Sequence, residues 1–230
     1  MKFIVFLITL LIPSLLSGET IFYYEIFYGP IKLGESQIIL NTKEVTAIAY
    51  TTGPGNLLYP YQVKWQTFVD EKGYPTKCYI YSKDRFKVRE KNLIFYPEKK
   101  QVHYTQIQPS KKEKIYNNLP FPLFDELTAF ITSWHLNYDE KSNFKLPLFI
   151  KGERHFAELN YQKVVSCSHN NATINCLLIQ ARLPEVSELL KRSKEVLFLL
   201  RKEDRFPVEI KGTLPIFGSL TAKLKGYKKN

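Results

Sequence analysis

The sequence predicts a mostly β protein: a curved antiparallel sheet, a half-barrel or barrel, wrapping one central helix. Three observations carry that reading. Aromatic residues make up 14% of the chain, with 15 Tyr and 16 Phe, and with Val and Ile they suit a pleated, half-buried surface. β-rich runs alternate with turn residues along most of the chain. Only one stretch carries a strong apolar stripe at helical spacing. The 230 residues, 44% hydrophobic and 24% charged, fit one folded globular domain.

Residues 1–18, MKFIVFLITLLIPSLLSG, read as a secretory signal. Lys2 supplies the positive start, and Phe3 to Ile12 is apolar except for Thr9. Pro13 ends the run, and the small residues Ser14, Ser17 and Gly18 follow. A membrane span needs about 20 apolar residues, so this run is too short for one. Cleavage is expected after Ser17 or Gly18, which leaves a single β-rich domain over 19–230 in the periplasm. No cysteine near the cut invites a lipid anchor, and no later segment is apolar enough to span a bilayer.

In the domain, 20–41 reads as a hairpin around Gly29-Pro30. A strand over 45–52 ends at GPGN, 53–56. Residues 61–71 and 74–82 form a second hairpin around Lys72-Gly73, and short strands follow at 85–90, 92–97 and 100–107. The polar, Lys-rich 109–118 reads as a loop. In PFPLFDELTAFITSWHL, Leu123, Leu127, Phe130, Ile131 and Trp134 recur at helical spacing, with Pro120 and Pro122 at the entry. Asp125 and Glu126 suit the positive end of that helix. Strands are expected at 144–151, 154–166 and 174–182, then a short second helix within 183–193. A hairpin of 194–202 with 205–213 and a strand over 216–226 close the chain. A sheet of this many hairpins must curl to bury its inner face.

The formal charge is +11. A basic balance suits nucleic acid, anionic lipid or acidic glycan, and export excludes nucleic acid. The lysines are scattered through alternating strands, which reads either as a solvated face or as a footprint for lipid headgroups or glycan. The densest runs lie at 111–114 and 223–229.

Cys167 and Cys176 flank a hairpin turn. Pairing them across it places Asn171-Ala172 at the turn, with Val165 facing Leu178 and His169 facing Ile174. An oxidising compartment permits the bond, and the alternative is two buried thiols. Cys78 is left as a buried small hydrophobe. His103, His135, His155 and His169 lack the HxxxH spacing of a helical metal site, and a disulfide removes Cys167 and Cys176 as ligands. Neither a G-x-S-x-G, a P-loop nor a GxGxxG occurs. The acid pairs at 125–126 and 139–140 lie at helix ends, where capping and solvation account for them. No catalytic residue, metal or cofactor is expected, and the protein reads as a non-enzyme.

Several segments in order resemble a family of exported Gram-negative bacterial proteins designated only as a domain of unknown function. They are YEIFYGPIKLGE at 24–35, TTGPGNLLYP at 51–60, DEKGYP at 70–75, LFDELTAFI at 123–131, FLLRKEDRFPVEIKG at 198–212 and GSLTAKL at 218–224. The resemblance spans about 23–226. It implies an antiparallel β structure with a helix packed inside, similar to the half-barrel of periplasmic lipoprotein carriers. It implies no reaction.

Two functional expectations follow. In the first, the protein binds lipid or a lipoprotein acyl chain in a groove, with Leu123, Leu127, Phe130, Ile131 and Trp134 on one side and Phe, Tyr and Ile of the sheet on the other. In the second, it is a non-catalytic interaction module whose core is filled and whose partners are other envelope proteins.

Overall fold

The computed structural model describes residues 18–170, 172–187, 195–213 and 218–230. Most of the expected signal, Asn171, most of the expected second helix and the start of the expected last strand lie outside these residues. The rest forms a single 14-stranded antiparallel sheet. The strands are β1 (Thr20–Tyr28), β2 (Ile31–Leu40), β3 (Glu44–Thr51), β4 (Tyr61–Val69), β5 (Pro75–Asp84), β6 (Val88–Tyr96), β7 (Gln101–Gln108) and β8 (Lys112–Tyr116). Then come β9 (Asn143–Ile150), β10 (Glu153–His169), β11 (Ala172–Arg182), β12 (Glu195–Arg201), β13 (Pro207–Thr213) and β14 (Ser219–Lys229). Two α-helices interrupt them among the described residues, α1 (Gly53–Leu58) and α2 (Glu126–Trp134). The expected single central helix is therefore joined by α1, which falls where only a turn was expected.

The strand order runs β8 to β1, then β14 down to β9. The first and last strands are neighbours, and Asn230 donates its backbone N–H to the carbonyl of Glu19 at 2.9 Å. The free edges are thus β8 and β9, in mid-chain, and the segment joining them carries α2. These edges are not hydrogen-bonded to each other among the described residues, so the sheet stays open. Aromatic side chains nevertheless meet across the gap. Tyr116 of β8 packs edge-on against Phe149 of β9, with ring centroids 5.4 Å apart. Gly152 lies under the Tyr116 ring, where an added Cβ would fall 2.0 Å from a ring carbon.

Both edges are protected, as a sheet edge must be to avoid pairing with another chain. β8 reads KEKIY and exposes its charged residues. A loop was expected here from that charge, yet lysine is a usual guard of an edge strand. The edge of β9 is covered by the chain just before α2. Phe124 donates to Pro147 at 2.9 Å and accepts from Phe149 at 2.8 Å. Phe124 is therefore a bridge residue rather than a helical one, and α2 starts later than the prolines suggested.

Three further differences have local causes. Phe86 and Lys87 donate backbone N–H to the Asp84 carboxylate at 2.9 and 2.8 Å. This turn ends β5, and one strand, β6, replaces the two expected over 85–97. GPGN does not merely end β3 but opens α1, with Pro54 in its first turn, where no amide donor is missed. Third, the cysteine hairpin is bonded as expected, with Cys167 and Cys176 Cα atoms 6.1 Å apart, but its register differs. Val165 faces Cys176, Cys167 faces Ile174 and His169 faces Ala172. Asn170 takes φ 51°, and the turn falls one residue earlier than expected. The slip is an even one, so every side chain keeps its expected face. The cysteines are diagonal neighbours rather than direct opposites. A loop this short contributes about 2–3 kcal/mol in the chain-entropy picture.

Candidate functional site

Helix α2 starts at a buried cap. The Asp125 carboxylate accepts from the backbone N–H of Leu127 at 3.0 Å and of Thr128 at 3.4 Å, which satisfies donors a helix start leaves unpaired. The Thr128 hydroxyl donates to it at 2.6 Å, and the Thr67 hydroxyl of β4 at 3.2 Å. One side chain thus starts the helix and ties it to the sheet. Burial raises the Asp125 pKa above the usual carboxylate value, outweighing the pull of Thr128, Leu127 and Thr67 in the other direction. Glu126 is also buried, and Ser187 donates its hydroxyl to it. Both acids were expected in a capping, solvated setting. Capping holds for Asp125, but neither side chain is solvated.

The raised pKa has a definite sign. Between the unfolded-state value and the higher folded one, the native protein holds a proton that the unfolded chain has lost. This group's contribution therefore falls as pH rises through that window. Asp125→Asn removes the dependence and keeps the cap, since Asn caps as well as Asp. Asp125→Ala loses the cap and strands two hydroxyls, a cost of about 2–4 kcal/mol. Urea unfolding at pH 4 and pH 7 is expected to show Asn close to or above wild type at pH 7 and Ala far below. Equal damage from both would contradict this account of the cap.

At its other end α2 is plugged by aromatic rings. Trp134 is fully buried and meets Phe22 at 5.7 Å and Phe130 at 5.2 Å, both edge-to-face. Phe206 packs against Phe22 at 4.6 Å, and Tyr227 against Phe206 at 5.9 Å.

Beside the helix, and sharing Phe130 with this plug, lies a cavity of ≈ 260 Å³. Leu127 and Phe130 line it. Leu123, Ile131 and Trp134 do not, although Leu123 and Trp134 are buried in the core and Ile131 packs against it. Nor do tyrosines form the opposite wall. That wall is mainly aliphatic, with Ile38 and Val63 from one half of the sheet and Leu146, Leu159 and Val196 from the other, and it carries Trp65 and Phe198 as well, so the expected Ile and Phe of the sheet are there. The space exists because small residues stand where large ones would fill it: Ala47, Ala49, Ala129, Ala157, Ala181 and Ser36. Aromatics such as Trp134 and Phe22 occupy volume, whereas alanines leave it.

A second cavity of ≈ 200 Å³ shares the walls Trp65 and Glu126 with the first. Its lining is more polar, with Lys91, Tyr104, Tyr116, Asp125 and Lys151. It lies at the seam between β8 and β9. Cys78 is buried nearby, and burial, then the charge of Asp125, pushes its thiol pKa well up, which leaves it inert. Among the described residues no group of three or more His, Cys, Asp or Glu is placed to hold a metal.

Over residues 23–225 the sequence matches the family described as a protein of unknown function (DUF3108). The chain belongs to the DUF3108 family. No match is found among curated proteins. This DUF3108 chain is similar in fold to the β-barrel-like protein of domain of unknown function DUF1849 from Brucella abortus. That likeness has a TM-score of 0.62 and 10% identity over 93% of this chain and 98% of that one. It is a likeness of fold alone. A DUF1089 family protein from Pseudomonas aeruginosa has a TM-score of 0.41 at 10% identity, covering 79% of this chain and 90% of its own. A candidate outer membrane lipoprotein-sorting protein domain from Vibrio parahaemolyticus has 0.26 at 9% identity, covering 93% and 86%. Those two scores are too low to add to the argument.

Proposed function

We propose that this DUF3108 protein is a periplasmic, non-catalytic carrier that holds an acyl chain of a lipid or lipoprotein between α2 and the sheet. In this reading the sheet curls about α2 as an open half-barrel. The apolar cavity beside the helix carries the proposal. An apolar cavity of about 150 Å³ already stays dry and takes up a ligand the size of benzene, and this one is larger. Each methylene buried there contributes about 0.8 kcal/mol. The adjoining, more polar cavity gives the ligand's polar end a place near Lys91, Tyr104 and Lys151. Two sequence features support export, the signal pattern of residues 1–18 and the disulfide. The rival reading, an interaction module, needs a filled core, and the row of alanines argues for the carrier.

A fluorescent fatty-acid probe tests the proposal. Phe130→Asn puts an amide on the cavity wall and is expected to weaken probe binding about ten-fold or more, a loss of roughly 1.4 kcal/mol. Lys112→Ala, on the exposed edge strand, is expected to leave it unchanged. Probe binding that ignores Phe130→Asn would move the ligand site elsewhere.

A further inference from the structure

We propose that the tip formed by α1 and the β5–β6 turn docks onto an anionic lipid surface. Leu57 is 79% exposed, Leu58 72% and Phe86 77%. Tyr59 adds a further exposed ring. Scattered apolar residues on a surface mean little, but these belong to two adjoining segments, since the Arg85 guanidinium donates to the carbonyl of Leu57 at 3.3 Å. Nor are the leucines exposed through looseness. Gly55 presses on the backbone of Leu33 so closely that an added Cβ would lie 1.9 Å from its carbonyl oxygen. The Thr52 N–H donates to that same oxygen at 2.9 Å, and the Tyr59 N–H closes the helix onto Gly55 at 2.9 Å. The fold spends a glycine and a pinned helix on holding two leucines out in water.

Charge selects the partner. Lys83, Arg85 and Lys87 surround Phe86 and are exposed. The acid among them, Asp84, is engaged by Arg89 at 3.1 Å and by the turn amides. Exposed apolar side chains ringed by cations fit a bilayer that carries negative headgroups, where apolar insertion and electrostatic attraction add. A stable protein–protein interface needs about 800 Å² on each side, which a tip of four apolar side chains is too small to provide.

Position gives the docking a purpose, and here the inference rests on the carrier reading. Ser36, Ala49 and Val63 form one row across the sheet and line the cavity. Two residues farther along are Gly34, Thr51 and Tyr61, and Tyr61 faces Asp84. From that end emerge α1 and the β5–β6 turn. A protein docked by this tip holds the Ser36–Ala49–Val63 side of its cavity towards the bilayer.

The test is cosedimentation of protein purified from the envelope fraction with phosphatidylglycerol-containing vesicles and with pure phosphatidylcholine vesicles, at low salt and at high salt. Wild type is expected to pellet with the anionic vesicles and to be released by salt. Leu57→Ser/Leu58→Ser and Lys83→Glu/Lys87→Glu are each expected to lower partitioning about ten-fold or more, with thermal unfolding unchanged. Failure to pellet, equal pelleting on both vesicle types, or pelleting that ignores both double variants overturns the proposal. The fatty-acid probe, titrated without vesicles, separates the two ideas. Docking without probe binding keeps the tip and removes the carrier reading, and probe binding without docking does the reverse.

Discussion

Trp134→Ala is expected to destabilise the protein by about 3–5 kcal/mol, the usual cost of truncating a large buried aromatic. Trp134 is 0% exposed and stands between Phe22 of β1 and Phe130 of its own helix. Phe206 and Tyr227 extend the cluster to the β12–β13 turn and to β14. Removing the indole loosens the joint at which the first strand, the last strand and α2 meet. Typical domains have only about 5–15 kcal/mol to lose, so the variant sits near its unfolding threshold. Trp134→Phe keeps part of the ring contact and is expected to lose less. Urea denaturation followed by circular dichroism checks both, and an alanine variant within 1 kcal/mol of wild type, roughly the median effect of any substitution, would contradict the packing described.

Ala157→Leu is expected to act in opposite directions on stability and on binding. Ala157 is buried, lines the cavity from β10, and faces Leu146 of the neighbouring strand. In a filled core, three added carbons strain the packing and cost about 1–3 kcal/mol. In an open cavity they find space and bury apolar surface, so stability is unchanged or higher. The same atoms displace about three methylenes of an acyl chain, worth roughly 2.4 kcal/mol, or about 50-fold in probe affinity. Thermal unfolding and probe titration on one variant therefore read the empty space twice. A destabilised variant with unaltered probe affinity would show that the space is not the ligand site.

Most hairpins were legible because their turns are local chemistry. Gly29-Pro30 and Lys72-Gly73 sit between β-rich runs, and the strands form on either side of them. The α2 stripe was equally legible from spacing, and Trp134 is buried where that stripe put it. What depends on distant neighbours was not. β8 is hydrophilic because it is an edge, and nothing within KEKIY says that β7 pairs with it. Gly55 starts to make sense only once Leu33 is known to lie beneath it. Asp125 could be read as a cap but not as a buried one, because Thr67 comes from a strand 58 residues earlier. The cavity was the hardest feature to foresee. Its location depends on alanines from β3, α2, β10 and β11 converging on one space. The single local sign is AIA at 47–49, where both inward positions of a strand hold the smallest apolar side chain that can line a wall.

Native mass spectrometry of the protein purified gently from its native cells tests the carrier reading most directly. The account predicts a population heavier than the bare chain by the mass of one acyl-bearing molecule, lost on organic extraction and reduced in Ala157→Leu. A spectrum containing only bare protein, from a preparation that also fails to take up added fatty-acid probe, would contradict it.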